Sequence, residues 1–388
     1  MKFFAICPRG LEPLLADELT ALGGEDVAPT HGGVFFSGEW ATCYRANLES
    51  RLATRILWHI VKGPYTSEED VYRLAVRQLW PNHFAVSSTI RVVTTAIKSP
   101  LKSLDFVTLR VKDAVCDRFR EDLGERPNVD TRHPDVSIHL FLSERECTLY
   151  LDTSGQPLWQ RGFRRASVEA PLKENLAAAI LKLSGWQPEQ PLVDPMCGSG
   201  TFLLEAVQIA LDRAPGLDRH FGFERLRSFQ ALEWATLRSA AEARVKKSLP
   251  AAICGYDLDE RAVRAARRNL QEAGFAEFAT VDHGNVLEIE PPAGAPGVLL
   301  ANPPYGERIG EQEELAAFYP QLGSALKRHW AGWHCLFFTA DLRLPKLIRL
   351  QPSRKTPLYN GPLECRLFRF EMVAGSNRKG AAPTASGD

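Results

Sequence analysis

The stretch LVDPMCGSGTFLLEA, residues 192–206, decides the fold class of this chain. It reads as a short buried strand that ends in an acid, followed by a loop with two glycines and the start of an apolar helix. Gly198 and Gly200 let the backbone turn sharply, and the helix that begins near Thr201 presents unpaired N–H groups at its first turn. A strand, a glycine loop and a helix in this order are typical of doubly wound α/β folds.

Strands and helices alternate on the carboxyl side of this stretch. Strands are predicted at 251–257, 278–282, 298–301 and 335–339, and helices at 175–183, 259–273 and 311–328. This alternation predicts a Rossmann-like, doubly wound and mainly parallel sheet over residues 166–374. The long gap before the strand at 251–257 predicts an inserted helical segment at 213–250.

The first 155 residues have a different character. Helices are predicted at 11–22, 40–49 and 104–123, and strands at 33–37, 90–97, 137–142 and 147–152. Strands mixed with helices without a regular βαβ order suggest ferredoxin-like α+β units. A boundary is expected near residues 155–166, and residues 375–388 are expected to be a disordered tail.

Composition and charge exclude several classes of protein. No apolar run approaches the roughly 18 residues of a membrane helix, and the start of the chain has no signal-peptide core. The eight cysteines are scattered without a CxxC pair, which predicts neither a zinc site nor disulfides, and favours the cytoplasm. Lys plus Arg and Asp plus Glu both number 47, so the net charge does not indicate a nucleic-acid binder. The sequence carries no signal for an oligomeric state.

The glycine loop does not suit a phosphate group. It has no lysine near the helix start and lacks the full GxGxxG spacing. An acid at the strand end, Asp194, suits a ligand with an ammonium group, such as the methionine part of S-adenosylmethionine. Asp257 ends the next strand, where a carboxylate can accept both ribose hydroxyls. Asp259 is the better candidate for the cap of the following helix, which leaves Asp257 free.

A second motif, VLLANPPYG at 298–306, points to the chemistry. Two prolines after a parallel strand stiffen the loop and fix two acceptors, the Asn302 side-chain oxygen and the Pro303 carbonyl. Two such acceptors can bind both hydrogens of an exocyclic amine on a planar base and aim its lone pair at a methyl sulfonium, so no strong base is needed. Tyr305 would stack on the base.

These motifs resemble a known family. DPMCGSGTFLLEA (194–206) and ANPPYGERIG (301–310) are similar to the S-adenosylmethionine-dependent amino-methyltransferases with the NPPY signature. Six further segments resemble the THUMP-domain methyltransferases, and among these the RlmL-type enzymes that methylate N2 of a guanine in 23S ribosomal RNA, in a single-methyltransferase form. The segments are GLEPLLADEL (10–19), GGVFFSG (32–38), RLATRIL (51–57), VKDAV (111–115), RPNVD (126–130) and SGWQP (184–188).

The resemblance implies a domain order and a role for each matching residue. A ferredoxin-like subdomain at about 1–60 and a THUMP domain at about 43–155 would hold RNA, ahead of the methyltransferase domain. The cofactor residues implied are Asp194, Pro195, Cys197, Gly198, Gly200, Thr201, Asp257, Asn285, Pro171 and Leu172. The catalytic residues implied are Asn302, Pro303, Pro304 and Tyr305. Basic residues expected to contact RNA are Arg161, Arg164, Arg165 and Lys355, and no metal is expected.

Three other functions stay open at this point. A transfer-RNA guanine methyltransferase is the nearest, since THUMP modules often serve transfer RNA. An N6-adenine methyltransferase of DNA shares the NPPY loop but carries other target-recognition regions. A ribosome-assembly factor without catalysis is disfavoured by the complete set of site residues. Cys197 as a nucleophile is disfavoured because N2 of guanine needs no covalent adduct.

Overall fold

The computed structural model describes residues 1–161, 172–304 and 309–373. The helices are α1 (Glu12–Ala21), α2 (Trp40–Glu49), α3 (Glu68–Val76), α4 (Leu104–Leu123), α5 (Glu174–Ser184), α6 (Thr201–Ala210), α7 (Ala231–Ala243), α8 (Glu260–Glu272), α9 (Ile309–His329) and α10 (Leu344–Leu347). The first seven strands are β1 (Lys2–Ile6), β2 (Glu25–Thr30), β3 (Gly33–Ser37), β4 (Arg55–Pro64), β5 (Ile90–Ala96), β6 (Val136–Leu142) and β7 (Glu146–Asp152). The others are β8 (Leu192–Asp194), β9 (Ile253–Asp257), β10 (Thr280–His283), β11 (Val298–Ala301), β12 (His334–Thr339), β13 (Arg354–Asn360) and β14 (Leu363–Glu371).

The described residues form two compact units. Unit 1 contains residues 1–161, 172–179 and 211–247, and unit 2 contains 180–210, 248–304 and 309–373. The chain therefore does not divide at a single position near 155–166. No helix in the described ranges combines the length and apolar character needed to cross a membrane.

Unit 1 is built on a seven-stranded sheet with the order β2-β3-β1-β4-β7-β6-β5. All neighbouring strands are antiparallel except β5 and β6, which are parallel. Alternate side chains of the strands, such as Phe3, Val34 and Ile56, are buried in one face of the sheet. The long helix α4 matches the predicted bounds because a Ser103 cap begins it and Gly124, with φ +77°, ends it.

The predicted insertion exists, but it belongs to unit 1. Helix α7 and a preceding 3₁₀ turn at Gly222–Arg225 contribute an aromatic cluster to this unit. The Trp234 ring lies 5.1 Å from Phe223, 5.5 Å from Phe221 and 6.0 Å from Tyr44 of α2, measured between ring centroids. Burial of these large rings explains why the segment groups with the amino-terminal residues.

Unit 2 is a second seven-stranded sheet, with the order β10-β9-β8-β11-β12-β14-β13. Strands β8 to β12 are parallel to one another, whereas β14 is antiparallel to both β12 and β13. This is the doubly wound sheet that the sequence predicts. The chain order reverses between β8 and β11, so the carboxyl ends of these strands flank a crevice in which such folds bind ligands.

Seven elements were not predicted from the sequence: the strands β1, β2 and β4, the helices α3 and α10, and the hairpin of β13 and β14. In the hairpin, charged residues such as Arg366 alternate with buried ones such as Leu367, and the basic residues hid the strand pattern. The expected disordered tail, 375–388, lies outside the described residues.

Candidate active site at the carboxyl edge of the parallel sheet

The glycine loop after β8 is held by hydrogen bonds from its backbone N–H groups to the neighbouring strand β9. The Cys197 N–H donates to the Tyr256 carbonyl of β9 at 2.9 Å. The Gly198 N–H donates to Oδ2 of Asp257 at 2.8 Å, so the loop and the acid that ends β9 form one structure. A sequence reading could place both motifs at one sheet edge, but it could not foresee this direct bond.

Gly200 has a specific reason for its place in the loop. Its φ is +81°, a value that L side chains rarely adopt, and a Cβ there would lie 3.2 Å from the Cβ of Ala266 on α8. The same helix supplies a residue that the sequence analysis missed. The buried Asn269 amide donates to the Ser199 carbonyl at 3.0 Å. The sequence signal that could have identified Asn269 is its position, as an amide side chain, on the apolar face of an amphipathic helix.

Asp194 is a buried carboxyl group at the floor of the loop. It is 2% exposed, and its Oδ1 accepts the Met196 N–H at 3.2 Å. Burial, and next the charge of Asp257, raise the pKa of Asp194 well above its ordinary value. A cation beside this carboxyl would stabilise its ionised form. The site therefore fits a ligand with an ammonium or sulfonium group, as expected from the sequence.

The Asp257 carboxyl group is half-buried, and hydrogen bonds to both of its oxygens fix its position. Oδ2 accepts Gly198 N–H, and Oδ1 accepts the Asp259 N–H at 2.9 Å. Asp259 itself is the cap of α8, since its Oδ1 accepts the Arg261 N–H at 2.8 Å. The structure therefore shows Asp259 as the helix cap predicted from the sequence, whereas Asp257 is not free as expected, because both of its oxygens already accept backbone N–H groups.

Other expected cofactor residues have different surroundings. Oδ1 of Asn285, after β10, accepts the Leu287 N–H at 3.0 Å, which fixes the turn next to the Asp257 edge. Pro195 and Thr201 are buried in the loop and the first turn of α6. Leu172 is buried in unit 1, whereas the glycine loop belongs to unit 2, and Pro171 lies outside the described residues.

The Cys197 thiol is not a nucleophile in this environment. It is 6% exposed, and burial, then the charges of Asp194 and Asp257, raise its pKa well above the ordinary value. Burial therefore disfavours the thiolate form, and the Cys197 side chain lies beside Gly255, where an added Cβ would come within 3.3 Å of its Sγ. This environment agrees with the role of a small packing residue that the sequence analysis favoured for Cys197.

The predicted catalytic loop begins where β11 ends. Strand β11 lies between β8 and β12, so Asn302, Pro303 and Pro304 emerge at the same sheet edge as Asp194. Asn302 is half-buried, Pro303 is buried and Pro304 is exposed. Tyr305 lies outside the described residues.

The structure corrects one expected RNA contact. Arg161 is 2% exposed and donates to the carbonyls of Leu158 at 2.6 Å and Arg51 at 2.8 Å. Arg219 lies in the same cluster, where burial, then the charge of Arg161, lower its pKa to about 10. A guanidinium enclosed in this way supports the backbone of unit 1 and cannot reach a phosphate. Arg164 and Arg165 lie outside the described residues.

From Arg343 onward basic side chains outnumber acidic ones, and we call this stretch the basic segment; several of its cations are paired with acids. Three of its arginines pair within unit 2: Arg343 with Asp341 at 2.9 Å, Arg366 with Glu364 at 2.7 Å and Arg369 with Glu371 at 3.7 Å. Lys355, expected to contact RNA, is exposed, as are Lys346, Arg349 and Arg354. Within the described ranges, no group of three or more His, Cys, Asp or Glu side chains is arranged to hold a metal ion.

Three families match consecutive parts of the chain. Residues 2–57 match the RlmL ferredoxin-like domain, 65–152 the THUMP domain and 161–369 the RMKL-like methyltransferase domain. Among solved structures, the protein SMU.472, described as a candidate methyltransferase and crystallised with SAH, is 29% identical. The match has a TM-score of 0.88 and covers 97% of this chain and 99% of that one.

Two curated relatives differ in length. The ribosomal RNA large subunit methyltransferase K/L of Syntrophotalea carbinolica is 42% identical over 96% of this chain, but the match covers 54% of that protein. The chain thus spans about half the length of this relative. A Synechocystis protein named as a candidate RNA methyltransferase is 40% identical, over 95% of this chain and 96% of its own length.

The matches confirm the predicted fold class, with a ferredoxin-like domain and a THUMP domain ahead of a Rossmann-like methyltransferase domain. They also confirm the enzyme class expected from the loops at 194–201 and 302–305, an S-adenosylmethionine-dependent methyltransferase. The methyltransferase-domain match covers more than half of the chain, and the Synechocystis relative is 40% identical over 96% of its own length, so the chain belongs to the RMKL-like methyltransferase family.

Proposed function

We propose that this protein methylates N2 of a guanine in 23S ribosomal RNA, with S-adenosylmethionine as the methyl donor. The observation that carries the proposal is the meeting of the Asp194 loop, Asp257 and the Asn302-Pro303-Pro304 loop at one sheet edge. The name of the Syntrophotalea relative, a ribosomal RNA methyltransferase, supports the choice of substrate. The cytoplasm, where ribosomal RNA is made and assembled in bacteria, is the proposed location.

The residues of the glycine loop fit the cofactor. The buried Asp194 carboxyl would hold its ammonium group, the backbone at Gly198 and Gly200 would lie against its methionine part, and Asp257 would accept its ribose hydroxyls. When bound, the cofactor supplies an electrophilic methyl group on a sulfonium. Bringing a positively charged ligand to a carboxyl with a raised pKa favours the ionised carboxylate.

Asn302 and Pro303 would prepare the substrate amine. Their two oxygens accept the two N–H groups of the guanine N2, so the nitrogen lone pair is directed away from the ring plane. The nitrogen would form a bond to the methyl carbon as the bond from that carbon to sulfur breaks, S-adenosylhomocysteine would leave, and one amine proton would pass to water. Because the rigid loop supplies orientation, no strong base is required.

A methyl-transfer assay tests the proposal. Labelled methyl groups should enter isolated 23S RNA, and mass spectrometry of the nucleosides should identify N2-methylguanosine. Asn302→Ala should lower turnover by about 100-fold or more, the effect expected of a lost transition-state interaction, while cofactor affinity changes little. Methyl groups in transfer RNA or DNA alone, or at adenine N6, would contradict the proposal, as would full turnover by the variant.

A further inference from the structure

The strand order of unit 2 tells on which side of the predicted catalytic loop the target base must lie. The expected cofactor residues Asp194, Asp257 and Asn285 follow β8, β9 and β10, and these strands all lie on one side of β11. Asn302 follows β11 itself, and β12 is the neighbour of β11 on the other side. With the cofactor on the β8 side, a base that reaches Asn302 lies toward the carboxyl end of β12.

The carboxyl end of β12 is level with the predicted catalytic loop. Ala301 pairs with Phe337 in the parallel register, so the residues two positions further, Pro303 and Thr339, leave the sheet at the same height. Neighbouring strands of a sheet are only about 4.8 Å apart. A base held at Asn302 therefore has the residues at and after the end of β12 as its neighbours on this side.

Asp341 is tied to the end of β12. Its N–H donates to Oγ1 of Thr339, the fully buried last residue of the strand, at 3.0 Å, and its own side chain is 6% exposed. Burial, and next the charge of Asp341, raise the pKa of the fully buried Tyr319 to about 12, so helix α9 adjoins the carboxylate. The Asp341 carboxylate therefore has a fixed position at this end of the strand.

Arg343 is held by Asp341 in one orientation. Its Nε donates to Oδ1 and its Nη2 donates to Oδ2, both at 2.9 Å, and its backbone N–H also donates to Oδ1 at 2.9 Å. The Arg343 side chain is nevertheless 54% exposed. In the part of the chain that the structure describes, it makes no hydrogen bond to another residue. Nη1 and the second hydrogen of Nη2 are therefore left as an unused planar pair of donors, which we call the fork.

The fork suits guanine. With its N2 amine held by Asn302 and Pro303, guanine presents the acceptors O6 and N7 on its other edge, and one arginine can donate to both. Adenine held by its N6 amine presents no such pair, because its N7 lies on the same edge as the amine and it has no O6. A lysine would supply the charge but not two coplanar hydrogen bonds.

We propose that Arg343 determines specificity for guanine by donating from the fork to O6 and N7 of the target base, with Asp341 as its positioning residue. The inference rests on the proposed function for the reaction at N2. Because Asp341 already fixes the guanidinium, little side-chain freedom is lost when the base binds.

Methylation of 23S RNA transcribed with either guanosine or 7-deazaguanosine tests the inference. The 7-deaza base keeps N2 and O6 but lacks the N7 acceptor. We call the kcat/KM on ordinary RNA divided by that on 7-deaza RNA the N7 ratio. Any effect of the analogue on RNA folding is common to all variants, so the N7 ratios are compared between proteins.

The N7 ratio should be about tenfold larger for the wild type than for Arg343→Ala, the effect of one charge-assisted hydrogen bond. On ordinary RNA, Arg343→Ala should lower kcat/KM about 10- to 100-fold, as expected for a lost bidentate contact. Arg343→Lys should have the low N7 ratio of Arg343→Ala, because it keeps the charge and lacks the fork. Asp341→Asn should give an intermediate ratio, since a neutral amide holds the guanidinium less firmly.

The matched control is Arg261→Ala. Arg261 forms the same kind of ion pair with an aspartate two residues earlier, Asp259, but it lies after β9, on the cofactor side. It should keep the wild-type N7 ratio. Calorimetric titration with S-adenosylmethionine should give the wild-type affinity for all these variants, which shows that the methyltransferase domain is folded.

The outcomes separate this inference from the proposed function. If the wild type forms N2-methylguanosine but has the same N7 ratio as Arg343→Ala, Arg343 does not contact N7, and only the inference fails. If Arg343→Ala lowers methylation of both RNAs equally and reduces the salt slope of binding by about 0.7, Arg343 contacts a phosphate and the inference is wrong. If the wild type forms no N2-methylguanosine in ordinary 23S RNA, the proposed function fails and this assignment fails with it.

Discussion

Asp194 and Asp259 show how two aspartates that follow neighbouring strands of one sheet acquire opposite properties. Burial raises the pKa of Asp194, whereas hydrogen bonds from the Arg261 side chain and backbone lower the pKa of the exposed Asp259. When Asp194 is ionised it destabilises the folded state, and a bound cationic ligand would stabilise its charge. The second stabilises a helix start. Residue type alone did not distinguish them; their positions relative to β8 and α8 did.

The pH dependence of stability follows from these directions. Below the ordinary value of 3.8, Asp194 is protonated in both the folded and the unfolded chain. As the pH rises, the unfolded chain loses this proton first, so the folded state is progressively destabilised until the pH passes the raised folded value. Asp194→Asn removes this penalty and should stabilise the cofactor-free protein above about pH 4.

The same variant should bind S-adenosylmethionine about tenfold or more weakly, because a charged hydrogen bond to the ammonium group is lost. Calorimetry at about pH 5–6 in two buffers of different ionisation enthalpy should show proton release on binding by the wild type and less by Asp194→Asn. Asp259→Ala serves as the control, and it should lower stability above the unfolded pKa and leave proton release unchanged. Equal proton release by wild type and Asp194→Asn would remove Asp194 from the cofactor site.

At the scale of the elements, helix α7 is the instructive case. It lies in sequence between two strands of the unit 2 sheet, yet Trp234 packs in the aromatic cluster of unit 1. The cluster joins α7 to Tyr44 of α2 and to Phe221 and Phe223 of the preceding turn. The insertion is therefore a structural part of unit 1 and not a surface extension of the parallel sheet.

Trp234→Ala should destabilise unit 1 by about 3–5 kcal/mol, the usual cost of removing a large buried ring. The control on the same helix is Leu232→Ala, because Leu232 is 84% exposed and its loss should cost less than about 0.5 kcal/mol. Urea unfolding followed by circular dichroism measures both. Similar costs for the two variants would show that the aromatic cluster contributes little.

At the scale of the whole molecule, a net charge of zero must be reconciled with RNA as the proposed substrate. Ion pairs within unit 2 neutralise much of the basic segment that begins at Arg343, but Lys346, Arg349 and Lys355 stay exposed. Lys346 lies on α10 and Arg349 just after it, in the segment that follows the carboxyl end of β12. We therefore expect the protein to make few contacts with RNA phosphates, and we expect these exposed residues to make some of them.

Replacing Lys346, Arg349 and Lys355 together with Ala should weaken RNA binding and reduce its salt slope by up to about 2 to 3. Arg366→Ala is the control, since Arg366 is already paired with Glu364 and should change the slope by less than one phosphate contact. Filter binding of 23S RNA at several salt concentrations gives both slopes. A triple variant with the wild-type slope would place the phosphate contacts elsewhere.

The local pattern of the sequence determined much of this protein. The bounds of α4, the strand β8 with its glycine loop and the strand β11 before Asn302 all follow from hydrophobic period, capping and turn residues, which act over a few neighbours. The meeting of Asp194, Asp257 and Asn302 also followed, because parallel strands place their carboxyl ends at one edge.

Only the tertiary structure showed the environment of each charged side chain and the fact that the inserted segment belongs to unit 1. Arg161 reads as a free cation in sequence, but its acceptor at Arg51 is distant along the chain, and burial of the guanidinium depends on that contact. Trp234 of the insertion packs against Tyr44 of α2, which is likewise distant along the chain. Burial and pairing depend on residues far apart in sequence, and local periodicity carries no information about them.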